Sequence, residues 1–144
     1  MRADNVKLGA KICVIVLSIC AASIAAGDEQ AQTDAESAAL AWLALVDAGN
    51  YADSWTAAST RFRTAIRQEQ WQARAARARS AFGALKSRKL QSAISKRSLP
   101  GAPDGEYMVI KFASSFENKA EAIETVTPMK DEDGSWRVSG YYIE

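Results

Sequence analysis

The sequence predicts an α+β domain in which helices come first and a four-stranded antiparallel sheet follows. Two observations carry that expectation. Up to Phe82 the apolar residues recur at helical spacing, and after Gly83 they alternate in four runs separated by turn residues. A third observation sets the start of the domain: no residue from Ile12 to Ile24 is charged, so that stretch is read apart from the fold.

The chain has 144 residues, which fits one domain. Arg2, Lys7 and Lys11 form a basic start with Asp4 as its one acid. Ile12, Val14, Ile15, Val16, Leu17 and Ile19 dominate the uncharged run, and small residues from Ala21 to Gly27 close it. This is the secretory pattern, so residues 1–26 are expected to be a signal peptide cleaved after Ala25 or Ala26. The remainder is then periplasmic or secreted, and meets a membrane only during export. A retained N-terminal membrane anchor is one alternative, although the run from Ile12 to Gly27 is shorter than the roughly 20 apolar residues a spanning helix needs. A lipoprotein joined through Cys20 is another. Leu17 to Cys20 is close to a lipobox, with bulky Ile19 where a small residue belongs.

Cleavage takes three of 18 basic and one of 17 acidic residues, leaving 15 against 16. It also takes both cysteines, Cys13 and Cys20. No disulfide then staples the fold, and 118 residues must hold together by core packing.

Residues 27–33 are polar and are expected to be a flexible leader, with the domain running over 34–144. Thr33 or Asp34 is placed to cap the first helix, since Glu36 follows Thr33 at capping-box spacing. Ala35, Ala38, Ala39, Trp42, Leu43, Leu45 and Val46 give that helix its apolar stripe, and Gly49-Asn50 ends it. Tyr51 and Trp55 lie four apart on a short second helix. A third segment starts at Ser59-Thr60 and reaches Phe82. Its two apolar runs, Phe62 and Ile66, then Trp71, Ala75, Ala78 and Phe82, are out of phase, which predicts a break near Gln68 to Gln70.

The four strands are expected over 85–95, 106–116, 120–129 and 135–143. Pro103-Asp104-Gly105, Glu117-Asn118-Lys119 and Asp131 to Gly134 supply the turns between them. Such short connections imply antiparallel neighbours. Met108, Ile110, Phe112 and Phe116, with Trp136 and Val138, should face the helices, leaving Lys111 and Arg137 on the other side. The third strand is ambiguous, because Ile123 and Glu124 cannot both point inward.

The stretches Ala41 to Trp55, Gly101 to Tyr107, Ser115 to Lys119, Glu124 to Val126 and Asp133 to Tyr142 together resemble the DUF4019 family. The resemblance covers nearly all of the chain after the signal. It implies a cone-like layout similar to the NTF2/cystatin-like superfamily, with helices packed into a curved four-stranded antiparallel sheet. That superfamily holds both enzymes and non-catalytic modules, so the fold says little about activity.

Composition removes several chemistries. The chain has no histidine, and its two cysteines precede residue 27. Ser-His-Asp and Cys-His nucleophiles and the usual zinc sites are therefore excluded after cleavage. There is no glycine-rich phosphate loop. Asp131 to Gly134 lacks the spacing and closing glutamate of a calcium loop and reads as a solvated turn. No metal or cofactor is expected.

Two features remain as candidate sites. Between Arg61 and Arg97 eleven basic residues face the single acid Glu69. Arg67, Arg74, Arg77, Arg88 and Lys89, with Arg137, are the candidates for holding an anionic partner: a lipid headgroup, a cell-wall polymer or an acidic protein. Nucleic acid is not expected, since an exported protein rarely meets it. The plainer alternative is a solvated helix face whose arginine stems cover apolar surface. The second feature is Glu124, which sits between Ile123 and Val126 with little room for a charge. If it points inward it needs a partner, with Arg137 or Arg88 in reach and Tyr107 and Tyr141 as donors. It is either a ligand-orienting or general-base carboxylate or a cross-strand ion pair. Asp47, in the last turn of the first helix, opposes the helix dipole and calls for an arginine nearby.

The expected function is an exported, non-catalytic binding or accessory module. The alternatives are a small metal-free enzyme of the lyase or isomerase kind, using a carboxylate and tyrosines, and a structural accessory subunit.

Overall fold

The computed structural model describes residues 19–144, with side chains from residue 25 onward. The basic start and the apolar run up to Leu17 lie outside the described residues, as does the side chain of Cys20. Among the described residues four helices precede four strands: α1 (Ile19–Asp47), α2 (Tyr51–Ala57), α3 (Thr60–Ala65), α4 (Gln68–Phe82), β1 (Leu85–Lys96), β2 (Tyr107–Phe116), β3 (Lys119–Lys130) and β4 (Trp136–Ile143). The strands pair antiparallel in sequence order, β1-β2-β3-β4, so β1 and β4 are the two edges. Register shifts near Leu85, Leu90, Ser114 and Thr127 bend the sheet around its helices.

Ala35, Ala39, Trp42, Leu43 and Val46 are all buried along one face of α1. They recur at the spacing that lays a stripe onto a sheet. The helix starts earlier than its capping pattern predicts. The stretch 27–33, expected as a leader, is helical, and Thr33 donates its hydroxyl to the carbonyl of Glu29 at 3.0 Å, not to a cap. Gln30 pairs with Asp34 at 2.8 Å across one turn. Gly27, Asp28 and Ala31 also line a cleft against the sheet end at Lys96, Met108 and Trp136, so this turn has tertiary contacts that a local capping signal does not report. Gly49 (φ +77°) closes the helix with a Schellman pair, Asn50 N to Leu45 O at 2.9 Å and Gly49 N to Val46 O at 3.1 Å.

The break between α3 and α4 falls at Ile66 and Arg67, both extended, just before the stretch expected to carry it. Ser59 caps α3 by accepting from Phe62 N at 3.1 Å, and the Trp55 indole takes the Ile66 carbonyl at 2.8 Å. α4 ends at Gly83, whose φ of +77° and ψ of −162° suit only glycine. A Cβ there would meet Glu117 Cβ and Oε2 at 3.0 Å. Gly83→Ala is therefore expected to cost about 1–3 kcal/mol, read as a lowered urea midpoint.

The inward face of β2 carries Met108, Ile110, Phe112, Ser114 and Phe116, all buried, as the alternation predicts. β3 resolves its ambiguity in favour of the glutamate: Ala122, Glu124, Val126 and Pro128 point inward and Ile123 outward. Lys111 lies exposed on the outer face, and Arg137 shares that face opposite Met129.

Candidate functional site

A buried ionic cluster forms where the C-terminal half of α4 meets the sheet, and an apolar groove runs along the free edge of β4.

The cluster is centred on Glu124, which is fully buried. Its Oε2 accepts from Arg88 Nε at 2.6 Å and Ser114 Oγ at 2.5 Å, and its Oε1 accepts from Arg88 Nη2 at 2.9 Å and the Tyr141 hydroxyl at 2.8 Å. Four donors fill the four lone-pair positions of a carboxylate. Arg88 continues outward to Asp47, with bonds of 2.7 and 3.1 Å to its two oxygens. Arg79 joins the same two acids, 2.8 Å from Asp47 Oδ1 and 3.8 Å from Glu124 Oε1, and lays its guanidinium 4.8 Å from the Phe116 ring centre. Two cations thus match two anions. Burial alone would lower the Arg88 pKa, but its bonds to Asp47 and Glu124 outweigh that and raise it.

Glu124 therefore has the inward position and the Arg88 and Tyr141 partners expected of it. The other two expected partners are elsewhere. Arg137 faces the outer side and holds Asp133 at 2.8 Å and Asp131 at 3.3 Å, and its bonds to Asp133 hold that carboxyl below the usual range. Tyr107 is buried on the opposite phase of β2 and donates to the Pro103 carbonyl at 2.7 Å. Asp47 gains the arginine its helix position calls for, and gains two.

Tyr141 ties the cluster to the groove. Burial, then the charge of Glu124 and its hydrogen bond, raise the phenol's pKa above its ordinary value, against a smaller opposite effect of Arg79. A raised folded-state pKa means that this stabilisation is fully present below about pH 10 and is lost as pH climbs through the raised value. Tyr141→Phe is expected to lower stability by about 1–2 kcal/mol at pH 7. The gap to the parent chain should narrow above pH 10, as urea melts at stepped pH would show.

The groove encloses about 530 Å³ between α3, α4 and β4. Ile66 and Trp71 form one wall, Tyr141 and Ile143 the other, and Arg74 is the one charged residue among the described residues lining it. Trp71 packs tilted against Trp42 at 5.5 Å and edge-on to Phe62 at 5.0 Å, and Tyr141 lies 5.4 Å from Trp42, so the aromatic wall is continuous with the core.

The basic stretch is not one surface. Arg74 and Arg77 are exposed on α4 and Arg67 is exposed just before it, while Lys89 points to the outer face of the sheet beside Glu121 and Glu144. Arg88 is spent inside the cluster. Among the described residues Arg67, Arg74 and Arg77 form no ion pair within 4.0 Å. The described residues hold no group of three histidine, cysteine or acidic side chains arranged for a metal, and no helix among them is long and apolar enough to cross a membrane.

A family model described as "Protein of unknown function (DUF4019)" matches residues 38–141. No curated protein and no solved structure matches the chain. The chain belongs to the DUF4019 family.

Proposed function

We propose that this DUF4019 member is an exported, non-catalytic binding module whose ligand lies in the groove between α4 and β4. The groove itself carries the reading. It has the size of a small-molecule site, aromatic and aliphatic walls, and one cation at Arg74 with no acid among the described residues lining it. A ligand with an apolar body and one anionic group matches that lining. Export rests on the signal-like order of charge, apolar run and small residues before Gly27. The layout of helices on a curved antiparallel sheet agrees with an NTF2/cystatin-like kinship, which we include in the proposal.

The enzyme alternative loses its base. Glu124 is fully buried and accepts four hydrogen bonds, so it has no lone pair to offer a substrate. Attachment to an anionic surface keeps one observation in its favour: Arg77 is exposed on the same helix as Arg74, and Arg67 is exposed at the N-cap of that helix.

Dodecanoate is a suitable probe, because Trp71 reports on the groove by fluorescence. Saturable binding is expected, about tenfold weaker in Arg74→Gln, with no binding of a dodecyl trimethylammonium salt. Equal binding of both amphiphiles, or equal affinity of the Arg74 variant, would show that the groove does not select an anion. Mass spectrometry of the protein from its native host tests export, since an intact N-terminus would contradict it.

A further inference from the structure

We propose that the natural occupant of this groove is an extended peptide that adds a fifth strand to the sheet along β4 and places a carboxylate at Arg74. This rests on the groove being the binding site, and goes further by naming what binds and how.

The two edges of the sheet are built differently. β1 carries Lys86, Lys89 and Lys96 and is bulged near Leu85 and Leu90, which are the usual protections against strand pairing. β4 has one bulge of its own, at Ser139 opposite Thr127 and Pro128, but from Gly140 to Ile143 it pairs without a shift, and it has no charged residue from Val138 to Ile143 and no proline. A free, uncharged edge beside an apolar groove is a place where an incoming strand can pair.

The backbone pattern shows which groups are free. Ile123 and Glu144 exchange both of their hydrogen bonds, at 2.8 and 3.1 Å. Pairs in an antiparallel ladder alternate, so Tyr142 and Gly140 face β3 while Tyr141 and Ile143 turn their N–H and C=O outward. Further along the same edge the Val138 carbonyl also turns outward, and the chain itself uses it: Ser59 N donates to it at 2.9 Å. The α2–α3 connection thus caps the edge at Val138. From there to Ile143 the edge borders the groove. Tyr141 and Ile143 offer four hydrogen bonds over one strand repeat of about 7 Å.

An extended peptide supplies what each part of the groove lacks. Its main chain pairs with Tyr141 and Ile143, alternate side chains reach Ile66 and Trp71, and one carboxylate meets Arg74. A fatty acid satisfies the walls and Arg74 but leaves the strand edge unpaired.

The test uses the full chain and an N-acetylated hexapeptide of alternating valine and threonine with a free C-terminal carboxylate, followed by tryptophan fluorescence. Saturable binding is expected, weakened about tenfold by C-terminal amidation or by Arg74→Gln. Two further peptides carry backbone N-methyl groups on alternate residues, one on each edge of the strand. One should lose at least tenfold in affinity and the other should bind like the parent, because only one edge faces β4. If both bind like the parent, main-chain pairing is refuted. If dodecanoate binds and the peptide does not, strand addition fails while the groove remains a binding site. If neither binds, both readings fall. Concentration-dependent dimers in sedimentation that the peptide does not dissolve would make a second copy the occupant, and would overturn the proposal.

Discussion

Glu124→Ala is expected to cost about 3–5 kcal/mol of folding stability, the range for removing one partner from a buried ion pair. The geometry makes the loss large. Arg88 and Arg79 are 9% and 6% exposed and share the two acids Glu124 and Asp47. Without Glu124, two buried cations face one carboxylate that is itself 21% exposed. Ser114 and Tyr141 also lose their acceptor. Against a total stability of about 5–15 kcal/mol for an ordinary domain, that is a large share. With a urea dependence of roughly 1.5 kcal/mol per molar, the midpoint should fall by about 2–3 M. Glu124→Gln keeps the shape and one acceptor and should fall between the two. Were the alanine variant within about 1 kcal/mol of the parent, the cluster would be energetically like a surface ion pair, and its role in seating α4 on the sheet would be wrong.

The cluster was partly legible as a set of polar residues standing where the pattern asks for apolar ones. Glu124 shows it between Ile123 and Val126, and two others carry the same signal more faintly. Ser114 fills the gap in the buried alternation Met108, Ile110, Phe112, Phe116 on β2. Arg79 lies four residues after Ala75 and three before Phe82, on the apolar face of α4, and is buried there. A net count of positive charge over Arg61 to Arg97 hides this, because it pools Arg79 and Arg88, which are neutralised inside, with Arg67, Arg74 and Arg77, which are exposed. Charge runs describe composition, while periodicity decides which face each charge occupies.

Element order and strand boundaries are legible in the sequence because their signals are local: a change of period at Gly83 and turn residues between the strands. The early start of α1 and the groove had no local signal. The 27–33 stretch is helical beside a sheet end built from residues more than sixty positions away. The groove likewise joins α4 to β4, so its walls are adjacent only once the sheet has formed. Arg74 was among the candidates for holding an anion, yet nothing in the sequence placed it beside Tyr141 and Ile143.

Trp42→Ala is expected to cost about 3–5 kcal/mol, as large as the loss of Glu124 but by a different route. Trp42 is 2% exposed and touches the rings of Phe62, Trp71 and Tyr141, with centroids 6.1, 5.5 and 5.4 Å away. Removing it opens a cavity at the junction of α1, α3, α4 and β4. Its indole N–H also donates to the Ser54 carbonyl at 2.8 Å, while the Ser54 hydroxyl accepts from Trp71 at 2.9 Å and donates to the Tyr51 carbonyl at 2.8 Å. One buried serine thus fixes two tryptophans. Trp42→Phe keeps most of the ring contact and loses the N–H, so about 1–3 kcal/mol is expected from the carbonyl left unpaired. Far-UV circular dichroism in urea separates the two without relying on tryptophan emission. The pair also divides fold from site. Trp71 and Tyr141 still line the groove in the phenylalanine variant, so dodecanoate affinity should stay within about twofold of the parent, a change below 0.5 kcal/mol. In the alanine variant both rings lose their common support, and affinity should fall together with stability. A phenylalanine variant that folds well and no longer binds would mean that the ligand reaches Trp42 itself, which would place the site inside the core and not along the edge of β4.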